Sequence, residues 1–261
     1  MASGLDVIEI GSGPPVVFVH GSVVGAEGTW RRQLELAERW TLRLANRPGF
    51  GQSPEPERGD FELEAPMVAE LLGEGAHLVG HSYGGVIAIC AAALRPAAVF
   101  SLTVSEPGCL RVAAGSPEVD RQIAGGELLF SRAGELAPRQ FLLAFRGGAG
   151  VTRETPAELD DELLAGARLL MRERPPWEAS PPWRRLRAAP FEKLVLSGGH
   201  SQVFERVCDA TARELGAERD TISGHGHTIP ACGAPYNERL ERFLTSSEAR
   251  RAGARASTEA G

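Results

Sequence analysis

The stretch AHLVGHSYGGVIAICAAAL, residues 76–94, constrains the fold more than any other part of the chain. Ala76–Gly80 is a short apolar run of strand length, followed by turn residues. Tyr83–Leu94 is nearly all apolar and uncharged, which predicts a helix buried on every side. Between them the chain must turn sharply at Ser82. An apolar strand feeding an apolar helix fits a mostly parallel sheet with helices on both faces, the α/β class.

The two flanks of the chain alternate in the same way. Leu5–Ile10, Val16–Val19, Leu42–Ala45, Ala98–Ser105, Lys193–Ser197 and Glu218–Ser223 read as strands. Thr29–Trp40, Glu62–Leu72, Val203–Leu215 and Tyr236–Leu244 read as helices. Residues 107–190 break the pattern. They hold no convincing strand, and helical spacing near 117–131, 136–146 and 156–173 precedes the Pro- and Trp-rich stretch RPPWEASPPWRRL. This block has 12 basic and 11 acidic residues, against 7 and 13 in residues 1–106. The predicted division is an α/β core over 1–106 and 191–246 with a helical cap inserted at 107–190. The small, polar tail over 247–261 is expected to be disordered.

Composition narrows the partners. With 28 basic and 34 acidic residues the net charge is −6, which argues against nucleic acid. No apolar run approaches the ~20 residues of a membrane span, and the first residues lack the basic and apolar regions of a secretory signal. A cytoplasmic protein that avoids the membrane is expected, with a homo-oligomer left open. Cys90, Cys109, Cys208 and Cys232 form no C-x-x-C pair, so buried thiols fit better than disulfides or zinc. Lys193 is the only lysine, and Ala and Gly abound, which points to a GC-rich bacterial coding sequence.

Three segments carry chemistry. Gly80-His81-Ser82-Tyr83-Gly84 matches G-x-S-x-G at a predicted strand-to-helix turn, where a serine stands clear of the sheet beside a helix N-terminus. The predicted strand Val16–Val19 ends in His20-Gly21-Ser22. Ser223-Gly224-His225-Gly226-His227-Thr228 follows the last predicted strand. Of its two histidines, His227 fits a general base better, since it follows Gly226 and precedes the terminal helix, and His225 reads as a surface residue.

These segments, in this order, resemble the α/β-hydrolase family, over residues from about 5 to 244. Asn46-Arg47-Pro48-Gly49-Phe50-Gly51-Gln52-Ser53 is similar to the family's D-x-x-G-x-G-x-S loop, with Asn46 in place of Asp. The chain looks one strand short of the eight-stranded form, with a helical cap between the family's sixth and seventh strands. The resemblance implies Ser82 as nucleophile, His227 as base, and an oxyanion hole from the backbone N–H groups of Ser22 and Tyr83. His20 is expected to brace its loop and, with Gly21, Trp177 and Trp183, to border the substrate pocket.

The acid departs from the family pattern. The usual G-x-x-D after the strand that follows the cap reads here Gly198-Gly199-His200-Ser201, and serine carries no charge. Some members place the acid after the preceding strand, where this chain has Glu106. Asp209 falls within a predicted helix and Asp220 within a strand, both poorly placed. The expected activity is hydrolysis of a small-molecule ester, lactone or thioester through an acyl-enzyme, with no metal or organic cofactor. A same-fold lyase, a C–C hydrolase, a cofactor-free cyclase and a non-catalytic ligand-binding member of the fold are the alternatives.

Overall fold

The computed structural model describes residues 4–151 and 156–259. Residues 1–3, 152–155 and 260–261, which fall in the expected core, cap and tail segments, lie outside the described residues. In chain order the elements are β1 (Val7–Ile10), β2 (Pro15–Val19), α1 (Ala26–Trp30), β3 (Thr41–Ala45), α2 (Phe61–Leu71), β4 (Ala76–His81), α3 (Tyr83–Leu94) and β5 (Val99–Ser105). Then follow α4 (Pro117–Ser131), α5 (Pro138–Ala149), α6 (Asp161–Leu170), α7 (Trp183–Ala188), β6 (Glu192–Ser197), α8 (Gln202–Leu215), β7 (Glu218–Thr221) and α9 (Ala234–Glu259).

The strands form one seven-stranded sheet in the order β1-β3-β2-β4-β5-β6-β7. β1 runs antiparallel to β3, and the other pairs are parallel. Side chains alternate across the sheet, as period two requires. Val17 and Val19 of β2 join a core with α2, α3 and α8, while Val16 and Phe18 join one with α1 and α9. The apolar α3 lies in the first of these cores with nearly every residue buried. β4 is central, and all six of its residues are buried.

Two expectations are corrected. The helix expected over 29–40 is the short α1 followed by a 3-10 turn at Gln33–Glu38. Gln33 is buried, and its amide donates to Pro230 O and Asn237 Oδ1, both at 2.9 Å. Leu34, within the stretch expected as one helix, is exposed. The tail expected to be disordered from residue 247 continues as helix to Glu259. Ser247 is buried and donates to Phe243 O, Glu248 meets His77 Nε2 at 3.1 Å, and Arg251 lies over the Phe100 ring. Composition alone missed these contacts, whose spacing continues the face begun by Leu240 and Leu244.

Between β5 and β6 the chain leaves the sheet and forms α4–α7. Phe130 packs edge-on against Phe141 and Trp177, at centroid distances of 5.2 and 5.5 Å. α6 presses on the loop after β2 so closely that a Cβ on Gly166 would stand 2.0 Å from Val23 O. No helix among the described residues is long and apolar enough to cross a membrane. All four cysteines are free thiols.

Candidate active site

Ser82 sits where β4 turns into α3, with φ 54° and ψ −120°. The turn exists because its neighbours lack side chains. A Cβ on Gly84 would lie 2.3 Å from the carbonyl oxygens of Val19 and His20, and one on Gly80 would lie 2.5 Å from Gly84 O. Backbone on both sides leaves no room to yield. The Ser82 N–H donates to Ser105 O at 2.9 Å, which ties the turn to β5. Among the described residues, Val23, Ser82 and Glu106 are the non-glycine residues with positive φ. Ser82 and Glu106 belong to the site and Val23 to the loop after β2, and such strain collects at functional sites.

Three side chains meet in line. Ser82 Oγ lies 2.9 Å from His227 Nε2, and His227 Nδ1 lies 2.6 Å from Glu106 Oε2. Nδ1–H therefore donates to the carboxylate and Nε2 is free to accept from the hydroxyl. Glu106 is fully buried at the end of β5, and its Oε1 accepts from the Gly198 N–H at 2.7 Å. His81 Nε2–H donates to His227 O at 2.8 Å, and Phe204 of α8 stacks on the His227 ring at 4.5 Å. The ring is thus held at one nitrogen, at its backbone and on one face.

Burial governs the charges here. It pushes the His227 imidazole down to about 3, with a further push from His200. It pushes the Glu106 carboxyl up to about 7, opposed by the Gly198 N–H and by His200. The dry environment keeps His227 neutral and ready to accept a proton. His200 Nδ1 lies 3.3 Å from Glu106 Oε1, so this carboxylate faces two imidazoles. Ser201, at the position where the family's Asp is usual, is the N-cap of α8. His225 is exposed.

The loop after β2 lies alongside. His20 is fully buried, with Nδ1–H donating to Gly21 O at 2.8 Å and Nε2 accepting the Arg47 N–H at 3.0 Å. A Cβ on Gly21 would come within 3.1 Å of Ser82 Cβ, so the loop touches the serine. The backbone N–H of Ser22 and that of Tyr83 have no paired acceptor among the described residues.

A cavity of about 260 Å³ opens on Ser82 and His227, walled by Leu110, Phe130, Phe145, Trp177 and Phe204. Trp177 lines it. His20, Gly21 and Trp183, expected at the pocket, do not. His20 is sealed behind the loop it braces, and Trp183 packs at the edge of the core formed with α3 and α8. Sequence reasoning missed a buried cluster beside the loop, made of Arg47, Glu64 and Glu173. Its only signal in the sequence is Arg47 within the Asn46–Ser53 loop.

Fold and geometry define an α/β protein with a serine, a histidine and a carboxylate aligned at the carboxyl edge of a parallel sheet. The model of the alpha/beta hydrolase family matches residues 16–244, and the chain belongs to that family. It is 34% identical over 108 residues to pimeloyl-[acyl-carrier protein] methyl ester esterase from Aeromonas salmonicida, covering 40% of this chain and 42% of that protein. It is 30% identical over 235 residues to the dihydrolipoyllysine-residue acetyltransferase component of the acetoin cleaving system from Cupriavidus necator, covering 83% and 59%. The matches thus span about half the length of these curated relatives. An alpha/beta hydrolase from Sphaerobacter thermophilus superposes with a TM-score of 0.64 at 21% identity, over 92% of this chain and 96% of that one.

Proposed function

We propose that the chain is a serine hydrolase that cleaves an ester, lactone or thioester through an acyl-enzyme. Ser82 Oγ attacks the carbonyl carbon while His227 Nε2 takes its proton. The carbonyl oxygen becomes an oxyanion facing the Ser22 and Tyr83 N–H groups, and removing one such donor typically costs about 10²–10³ in kcat. The imidazolium that forms is stabilised by Glu106, and it returns its proton to the leaving oxygen or sulfur. Water, activated by the same imidazole, then releases the acid.

The observation that carries this reading is the unbroken pair of hydrogen bonds from Ser82 through His227 to Glu106. A binding protein has no use for a strained serine held against a neutral buried imidazole. The apolar walls of the cavity favour an uncharged acyl chain, and its volume lies near the small end for ligand sites. The naming of several relatives as methyl ester esterases supports ester chemistry. The test is covalent labelling by a fluorophosphonate, read by intact mass, together with hydrolysis of p-nitrophenyl esters. Wild type should gain one adduct, and Ser82→Ala should gain none and lose several orders of magnitude in turnover. An unlabelled wild type, or a Ser82→Ala variant with full turnover, would end the proposal.

A further inference from the structure

Arg47, Glu64 and Glu173 are each at most 5% exposed, and they sit together in the interior. Arg47 Nε and Nη2 donate to the two oxygens of Glu64 at 2.7 and 3.0 Å, and Nη2 also donates to Glu173 Oε1 at 2.8 Å. Burial pulls the Arg47 pKa down, but the two carboxylates more than offset it and raise it. Such a cluster is a poor device for stability, since well-packed apolar residues usually do as well. What it gives is fixed direction, and the atoms it fixes belong to the loop after β2.

Three further contacts end on that loop. Arg47 Nη1 donates to Gly21 O at 3.0 Å, and the Arg47 N–H to His20 Nε2. The remaining Glu173 oxygen, Oε2, accepts from Ser22 Oγ at 2.5 Å. Glu173 belongs to the insertion, three residues after α6, and its backbone bridges to Gly59. The loop is therefore held from two sides. Arg47 and Glu64 hold it from the sheet core, and Glu173 holds it from the insertion, through the residue whose N–H faces the reacting oxygen.

We propose that Glu173 is a positioning residue through which the insertion sets the direction of the Ser22 N–H, so that the oxyanion hole is complete only when the insertion is seated. This rests on the acyl-enzyme reading given above. A donor aimed wrongly loses its value in the transition state but hardly alters binding of the uncharged ester. The signature is a fall in kcat with KM unchanged.

The experiment measures kcat and KM for p-nitrophenyl butyrate and the second-order rate of fluorophosphonate labelling in the full chain. Glu173→Ala should lower kcat and the labelling rate together by about 10–100-fold, less than loss of a whole donor, with KM within about twofold. Glu173→Gln can still accept from Arg47 and can donate to Ser22 Oγ, so it should restore the rates to within about fivefold of wild type. Arg174→Ala is the control. Arg174 ties the same segment to Asp60, Glu62 and Glu178 without touching the loop, so its loss should lower Tm and leave kcat alone. Ser22→Ala keeps the N–H and cuts only the link to Glu173. It should cost about tenfold in kcat, and it decides the matter if Glu173→Ala does not fold. Wild-type kcat in folded Glu173→Ala, or in Ser22→Ala, overturns the proposal. So does an equal loss of kcat in Arg174→Ala. Failure of the wild type to label would instead strike the acyl-enzyme reading itself.

Discussion

Glu106 reaches His227 from β5, the strand beside the one that carries Ser82, and closes the gap to Nδ1 to 2.6 Å. Two features allow this. Its backbone is in the left-handed region, with φ 41°, at the point where the chain leaves the sheet. Its side chain is also one methylene longer than the aspartate that would otherwise come from beyond β6. The Glu106 N–H donates to Leu196 O of β6, so the residue bridges both strands.

Replacing Glu106 by glutamine keeps the shape and removes the charge. It should lower kcat by about 10²–10⁴-fold, the range expected when a triad acid is neutralised. The pH profile gives a second readout. In the wild type the buried pair takes up its proton near pH 7, where Glu106 stands, and kcat/KM should fall below that pH. In Glu106→Gln only His227 remains, held down to about 3 by burial, so residual activity should stay flat well below pH 7. An unmoved acid limb would assign that limb to another group.

Gly84 governs whether the turn at Ser82 can fold. Gly84→Ala would drive a methyl to 2.3 Å from two carbonyl oxygens, where nothing can shift without breaking β2 or α3. The cost should exceed about 3 kcal/mol, beyond ordinary overpacking. Thermal unfolding should show a Tm lower by ten degrees or more, on the order expected for a domain of this size, or no folded protein. A variant as stable as wild type would mean that the turn at Ser82 has room for a methyl group at position 84.

These two cases show what could be read in advance. The G-x-S-x-G turn was legible because small residues, strand pattern and apolar helix all demanded the same backbone. Glu106 was legible only as the carboxylate left once Ser201 had removed the usual one. Trp177 and Trp183 were not separable, since both stand in one Pro-rich stretch. Which of them faces the cavity depends on Phe130 of α4, far away in sequence. Glu173 was illegible for the same reason. Its partners, Ser22 and Arg47, come from before β4, and no local spacing links them. The helical tail was missed because composition weighs residues without their partners.

The two tryptophans should now separate by experiment. Trp177 walls the cavity, and a Cβ on Gly126 would lie 2.4 Å from its ring. Trp177→Ala should enlarge the cavity and move the preferred acyl chain of p-nitrophenyl esters to greater length. Trp183→Ala should cost stability, about 1–3 kcal/mol for a partly buried ring, and leave the chain-length preference unchanged. A shifted preference in Trp183→Ala alone would reverse the assignment.

Acid should destabilise the fold through its buried histidines. Burial pushes His20 and His227 down to about 3 and His81 to about 4, and it lowers His77 as well. In the unfolded chain each returns to about 6.5. Between those values the unfolded state binds protons that the native state refuses, so stability is lost as pH falls below about 6.5. Glu106 and Glu173 work in the opposite sense, because burial raises both and the native state keeps protons that the unfolded state releases. Counting only His20, His81 and His227 against Glu106 leaves a net uptake of about two protons on unfolding near pH 5.5, a slope of roughly 3 kcal/mol per pH unit. Urea midpoints measured between pH 7.5 and 5 should fall accordingly. His81→Gln can keep the donor to His227 O, and it should make the slope shallower by about one proton. Stability that is level or rising on acidification would mean that these imidazoles take up protons in the native protein as readily as in the unfolded chain.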